Sequence, residues 1–312
     1  MKKVFIDGSA GTTGLRIYER LEGRKDIELI KLSEELRKDS AARAEALNSA
    51  DIAFLCLPDA AAVEAVGMIT NPDTCVIDTS TAHRTADGWT YGFAELTGYD
   101  EVKASKRIAN PGCHASGFVA LVAPLIREGI VSKDEMLSAF SLTGYSGGGK
   151  KMIAEYEAEE RDPLFGAPRM YGIAQKHKHL PEMVKVCGLA KAPAFCPIVA
   201  DFYSGMEVTV PLFGDAINGT IKDIEDIYSS YYNNGSGLVR FVKEAGEGGF
   251  MSAAAFAGRD DMEVSVTGND ERILLVSRFD NLGKGASGAA IQNMNIVMGV
   301  RETTGLNVAN CE

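Results

Sequence analysis

Asn110-Pro111-Gly112-Cys113 stands immediately before an apolar run from Ala115 to Ile126. A tight Pro-Gly turn that delivers a cysteine to the start of a helix places its sulfur among unpaired backbone N–H groups, whose partial positive charge favours thiolate over thiol. Such a thiolate attacks electrophilic carbonyls. The other reading is that Cys113 only packs, as free cysteines commonly do. The proton shuttle for such chemistry at neutral pH is best supplied by histidine, and the chain holds four: His83, His114, His177 and His179. His114 adjoins the cysteine, but neighbours at a helix start point to different sides. His177 and His179 are two apart, so an extended segment would put both rings on one face, within reach of the thiol. A surface loop flanked by Lys176 and Lys178 accounts for them as well. No metal is expected, because a histidine pair needs further ligands and no Glu-x-x-His or Cys-x-x-Cys supplies them.

A second stretch suits phosphate. Lys2 to Ile6 reads as a buried strand, and Gly8-Ser9-Ala10-Gly11-Thr12-Thr13-Gly14 leads from it into Leu15 to Leu21, whose apolar residues recur at helical spacing. Glycines let the backbone approach a pyrophosphate, and a helix N-terminus offers N–H groups to its charge. Gly8, Ser9, Gly11, Thr12, Thr13 and Gly14 are therefore candidate dinucleotide contacts. The next strand ends at Lys31-Leu32-Ser33, with Arg37-Lys38 beyond. An NAD site would carry an acid there, whereas a hydroxyl and cations suit a 2′-phosphate. This favours NADP(H), with Ser33 and Arg37 as its candidate contacts, although Glu34 and Glu35 are close and Arg37-Lys38 equally reads as a solvated helix face.

Around these positions, strands predicted at Ile27 to Leu32, Ala50 to Leu57 and Thr74 to Asp78 alternate with helices at Ala41 to Leu47 and Asp59 to Ile69, the rhythm of a doubly wound parallel sheet. Strands predicted at Leu137 to Thr143, Ala194 to Phe202, Met206 to Leu212 and Ile273 to Phe279 have few regular helices between them. They imply an α+β part with a mixed or antiparallel sheet, able to pair faces between subunits. Gly283 to Gly288 opens a helix at Ala289 to Val297. If that helix returns to the first part, Asn281, Lys284 and Gly285 lie on one side of a nicotinamide and Cys113 on the other. The expected division is a dinucleotide-binding domain of residues 1–113 and 283–312 and a catalytic, oligomerising domain of residues 114–282. Tyr228 to Tyr232 reads as a surface element. The 312 residues are 46% hydrophobic and carry a net charge of −11, which argues against nucleic acid and acidic membrane surfaces as partners. The longest apolar run is short of a membrane span. Cysteines 56, 75, 113, 187, 196 and 311 are scattered without pairing motifs, so reduced thiols and a cytoplasmic location are expected.

Taken in order, the Gly8 to Gly14 turn, Asp78 to Arg84, Tyr91 to Leu96, Asn110 to Cys113, Tyr145 to Lys150, His177-Lys178-His179-Leu180-Pro181-Glu182 and Asn281 to Ala286 resemble the N-acetyl-gamma-glutamyl-phosphate reductases, in their shorter form, almost end to end. The glycine turn is shared with the related aspartate-semialdehyde dehydrogenases, which remain the alternative together with other acyl-phosphate reductases. The resemblance implies NADPH-dependent reduction of an acyl phosphate to an aldehyde in arginine biosynthesis, with release of inorganic phosphate, through a thioester on Cys113. It further implies a homodimer or homotetramer, and His179 as acid/base with His177 close behind. Arg84, after the hydroxyls Ser80 and Thr81 at the carboxyl end of the fourth strand, is the candidate for the acyl phosphate, unless it only caps a loop. Ser80 is a candidate cofactor contact and Asn110 a substrate contact. Ser146 and Lys150, in the glycine loop, are candidates for a substrate carboxylate, in a loop that could equally hold the cofactor against the thiol, although a flexible linker explains that composition nearly as well. The semialdehyde dehydrogenases carry a glutamine before this loop. Leu142-Thr143-Gly144 stands there instead, which disfavours an aspartate-derived substrate.

Overall fold

The computed structural model describes residues 1–233, 235 and 237–308; Cys311 and the end of segment 283–312 lie outside them. The strands are β1 (Lys2–Asp7), β2 (Ile27–Ile30), β3 (Ile52–Leu55), β4 (Cys75–Asp78), β5 (Thr90–Tyr91), β6 (Arg107–Ala109), β7 (Ser138–Gly144), β8 (Arg169–Met170), β9 (Ala194–Ala200), β10 (Met206–Phe213), β11 (Val239–Phe241), β12 (Met262–Asn269) and β13 (Arg272–Phe279). The helices are α1 (Thr12–Leu21), α2 (Ser40–Ser49), α3 (Asp59–Gly67), α4 (Ala94–Thr97), α5 (Tyr99–Ala104), α6 (Cys113–Arg127), α7 (Gly149–Tyr156), α8 (Leu180–Cys187), α9 (Ile221–Tyr232) and α10 (Gly288–Met298). Two compact units result, Met1–Pro111 with Ala286–Leu306, and Gly112–Gly285 with residues 307 and 308. Among the described residues no helix is long and apolar enough to cross a membrane.

In the first unit the strands run parallel in the order β2-β1-β3-β4-β6-β5. This is the doubly wound sheet that the strand and helix alternation implies. Successive side chains point to opposite faces, and a sheet covered on both sides needs apolar residues throughout. Val4, Ile6, Phe54 and Ile77 pack on one face with Ile17 of α1 and Ile291 and Met294 of α10. Phe5, Ala53 and Val76 pack on the other with Leu47 of α2 and Ala65 of α3. The strand order reverses between β1 and β3, so the carboxyl end of β1 is the place where an open sheet of this kind receives a ligand.

The second unit is built on a mixed sheet, β11-β12-β13-β10-β7-β9-β8, in which only β7–β9 and β11–β12 are parallel. Helix α6 lies on one face, so close that a Cβ on Gly117 would stand 2.5 Å from Val208 Cγ2 and 2.7 Å from Ser277 Oγ. The opposite face carries Phe140, Leu142, Ile198, Pro211 and Leu274, of which Phe140 and Leu274 are each 41% exposed. The segment from Tyr228 to Tyr232 is not a surface element. Ile224, Tyr228 and Tyr232, at intervals of four, form the buried face of α9. Pro124 lies inside α6 and has no N–H for the carbonyl of Ala120; the hydroxyl of Tyr232 donates to that carbonyl at 2.6 Å, and Tyr228 donates to Leu121 O at 2.6 Å.

Candidate active site

Helix α6 begins at Cys113, with Gly112 as its N-cap. Glycine has no side chain to cap with, and the cap comes from another helix. The N–H of Gly112 donates to Glu182 Oε1 at 2.8 Å, and Glu182, 1% exposed, lies in the first turn of α8. Pro181 fits that turn because no intrahelical N–H is required there. One carboxylate thus ties together the starts of two helices, one opening with Cys113 and the other capped by His179. Cys113 is half-buried. A Cβ on Gly285 would lie 3.0 Å from Cys113 Cβ, so glycine there keeps side-chain bulk away from the sulfur.

The two histidines meet differently from the expected extended segment. Residues 177–179 form a turn entering α8, in which Leu180 N donates to His177 O at 3.0 Å and His179 N donates to His177 Nδ1 at 3.2 Å. The rings stand edge to face, with centroids 4.8 Å apart. Burial, with Lys178 nearby, holds the His177 imidazole below its usual range. It is therefore neutral at pH 7 and, since Nδ1 accepts, carries its proton on Nε2. Gln175, at φ 53°, is the left-handed residue of this loop, and its amide pairs with both backbone groups of Phe195, at 2.7 and 2.8 Å. That clamp holds a strained turn beside the imidazoles. His114 also joins the cluster, 5.5 Å from the His177 ring and 5.6 Å from that of His179. Its nitrogens are engaged by Ser141 Oγ at 2.7 Å and the Tyr171 hydroxyl at 2.6 Å.

In the first unit, the glycine turn ends β1. A Cβ on Gly8, at φ 88°, would strike Cys56 O at 2.3 Å, and one on Gly14 would strike Gly8 O at 2.4 Å. Gly11 caps α1 without a side-chain bond, leaving the first-turn N–H groups around Thr12 and Thr13 for an anion. Gly8, Ser9 and Ala10 line a cleft of about 590 Å³ that also takes in Lys31, Arg37, Lys38 and Arg43. These groups fit a dinucleotide with an added phosphate. Arg37 lines the cleft and pairs with Glu34. Ser33 does not line it. Its side chain is exposed, and its carbonyl accepts from the N–H groups of Leu36 and Arg37, each at 3.1 Å, to start a single helical turn.

The remaining candidates are held as follows. Ser80 Oγ donates to Asp78 Oδ2 at 2.7 Å, and His83 Nδ1 lies 2.6 Å from the same oxygen with its ring stacked on Trp89. His83 is thereby fixed as part of the loop that presents Arg84. Arg84 donates through Nε to Asn110 O and through Nη2 to Thr79 O, at 2.9 and 3.0 Å. The Asn110 amide spans Ala286 O and Asn293 Nδ2, tying the end of β6 to the start of α10. The Tyr145 to Lys151 stretch is a helical turn running into α7 rather than a flexible linker. Asn281 anchors it, donating to Ser146 Oγ at 3.0 Å and accepting from Gly205 N at 2.9 Å. Lys150 is exposed, whereas Lys284 is 1% exposed in the turn before α10.

Sequence reading missed Tyr171, Ser141, Gln175 and Arg43, and gave Glu182 no role beyond its place in a motif. Glu182 was accessible, as an acid in the first turn of a helix that opens with proline. Tyr171 and Ser141 carry no local signal, because a loop after β8 and the packing of β7 bring them to His114.

The model of the semialdehyde dehydrogenase dimerisation domain matches residues 113–281, and that of the semialdehyde dehydrogenase NAD binding domain matches residues 33–104. The N-acetyl-gamma-glutamyl-phosphate reductase 2 of a Nostoc species is 43% identical, over 97% of this chain and 99% of its own. The N-acetyl-gamma-glutamyl-phosphate reductase of Sinorhizobium medicae is 44% identical, over 95% of this chain and 98% of its own. Among solved structures, aspartate semialdehyde dehydrogenase II of Vibrio cholerae, complexed with ASA, superposes with a TM-score of 0.70 at 15% identity, over 96% of this chain and 98% of its own. The aspartate semialdehyde dehydrogenase of Francisella tularensis also gives 0.70 at 15% identity, over 96% and 100%. At that identity the likeness is one of fold.

Proposed function

The chain belongs to the N-acetyl-gamma-glutamyl-phosphate reductase family, and from that premise we propose that it reduces N-acetyl-gamma-glutamyl phosphate to the semialdehyde, releasing inorganic phosphate, through a thioester on Cys113. The observation that carries this reading is the Glu182 link, which docks the helix start bearing the cysteine against the one capped by His179.

An acyl phosphate acylates readily but is a poor acceptor of electrons, so the thiol intervenes. His179 takes the Cys113 proton, since His177 has its Nδ1 engaged by the His179 N–H and its Nε2 already protonated; the sulfur bonds to the acyl carbon, the carbon–oxygen bond to phosphate breaks, and the proton passes to the departing phosphate oxygen. N–H groups at the start of α6 stabilise the charge that gathers on the acyl oxygen. A nicotinamide dinucleotide is the cofactor, and when bound it supplies the electron pair and hydrogen that turn thioester into aldehyde. Release of the aldehyde breaks the carbon–sulfur bond and returns Cys113 to the thiolate. Arg84 is the cation we assign to the phosphate, with Asn110, Ser146 and Lys150 on the substrate.

We assign dinucleotide binding to the first unit and catalysis with subunit contact to the second. The cluster of Lys31, Arg37, Lys38 and Arg43 at the cleft supports NADPH over NADH. Gly8, Ser9, Gly11, Thr12, Thr13 and Gly14 would hold the pyrophosphate, Arg37 the added phosphate, and Ser80, Asn281, Lys284 and Gly285 the remainder; Ser33, which does not line the cleft, has no part in it. A cytoplasmic homodimer or homotetramer completes the reading, supported by the apolar open face of the second unit's sheet.

The test is the reverse reaction. Phosphate-dependent reduction of NADP by N-acetylglutamate semialdehyde is expected in the native chain and a fall of at least a thousandfold in Cys113→Ser. Preference for aspartate semialdehyde in the same assay, or an undiminished rate in the variant, overturns the proposal.

A further inference from the structure

Ser141 is fully buried on β7, and among the described residues the acceptor within hydrogen-bond distance of its hydroxyl is His114 Nδ1, at 2.7 Å. A buried hydroxyl proton with no acceptor is strongly disfavoured, so Ser141 donates and Nδ1 accepts. An imidazole with an accepting Nδ1 has its single proton on Nε2. That nitrogen lies 2.6 Å from the Tyr171 oxygen. The Nε2–H therefore donates to Tyr171, and the phenol cannot spend its own proton on His114. His114 follows Cys113 in the first turn of α6, so the phenol is held at the same helix start as the sulfur. Facing His114 are Ser141, Tyr171, Phe195 and the rings of His177 and His179.

We propose that Tyr171 donates a hydrogen bond to the Cys113 thiolate, and that His114, fixed as its Nε2–H tautomer by Ser141, is the positioning residue that turns the phenolic proton toward the sulfur. The proposal rests on Cys113 being the nucleophile of the function proposed above. No proton is transferred. Burial, with the charge of Cys113 added to it, raises the phenol well above its ordinary range, so Tyr171 keeps its proton at every working pH. Burial and the ring of His177 hold His114 down at about 3, so it stays neutral and the tautomer is defined. The effect is to lower the cost of ionising Cys113 without an added charge.

The test is the pH dependence of Cys113 alkylation by iodoacetamide in the full chain without substrate, read against a Cys113→Ser control to subtract the other thiols. Tyr171→Phe is expected to move the midpoint up by about one unit, a tenfold slower reaction below it. Ser141→Ala, which alters no group at the sulfur, is expected to move it in the same direction by about threefold in rate. Unchanged midpoints in both variants overturn the proposal, and a shift in Tyr171→Phe alone overturns the role of His114. The ¹⁵N spectrum of the native chain, with His114 identified from His114→Gln, tests the tautomer without relying on the strand variant. A pyridine-type Nδ1 and pyrrole-type Nε2 support it, and the reverse pattern overturns it. Both measurements are made without acyl phosphate, so a failure of the substrate assignment leaves their outcome intact.

Discussion

Folding moves His114 from water, where an imidazole titrates near pH 6.5, to a site where burial holds it at about 3. Between those values the unfolded chain binds a proton that the folded chain refuses. The contribution of this group is therefore complete above about pH 6.5 and is lost as pH falls, by up to about 1.4 kcal/mol per unit. Urea unfolding at pH 7.5, 6.5 and 5.5 should show at least that slope between the last two values, and His114→Phe should reduce it. His177, also held below its ordinary range by burial, adds a slope of the same sign, while the carboxylates held low, such as Asp26 and Asp51, act only nearer pH 4. At this scale the sequence discloses a candidate residue more readily than its company. Cys113 announces itself because a Pro-Gly turn before an apolar run has few structural outcomes, whereas the strand residue Ser141 and the loop residue Tyr171 reach His114 through packing that no spacing rule records.

Helix starts and strand ends do the positioning. Asp7, closing β1, pairs with Arg43 of α2 through Nε at 3.2 Å and Nη2 at 3.0 Å, which keeps a buried guanidinium at the edge of the dinucleotide cleft. This was hard to read beforehand, because the alanine-rich α2 has no marked apolar stripe, although Arg43 stands three and four positions before the buried Ala46 and Leu47. Arg37 and Lys38 were legible as cations following the second strand, and both line the cleft, Lys38 with an exposed side chain. Their joint replacement by alanine should raise the KM for NADPH about tenfold, or about 1.4 kcal/mol, and leave that for NADH within a factor of two. Steady-state kinetics with the two cofactors separates this outcome from a general loss of binding. The His-x-His pair shows the reverse situation. The residues were found, but the strand periodicity invoked to align them was the wrong device, since a proline-led helix start brings the rings together.

At the scale of the whole molecule, strand and helix alternation revealed the parallel sheet because each strand had to be apolar on both faces. The second sheet was legible in class only; β12 escaped notice because its outer half ends in Thr267, Gly268 and Asn269. Its open face holds Phe140, Leu142, Ile198, Pro211 and Leu274, an apolar surface of the type that subunits cover. Leu274→Lys combined with Phe140→Glu should convert an oligomer into a monomer in sedimentation velocity while leaving the far-ultraviolet circular dichroism unchanged. A native chain that sediments as a monomer would remove the subunit assignment.

The proline in the helix that opens at Cys113 has a consequence for how the chain is made. The carbonyl of Ala120 finds its donor in Tyr232, 112 positions further on. During synthesis that helix therefore waits with a gap in its ladder until α9 has left the ribosome. A product released before that point would carry Cys113 on an unfinished scaffold, exposed to oxidants and to other nascent chains.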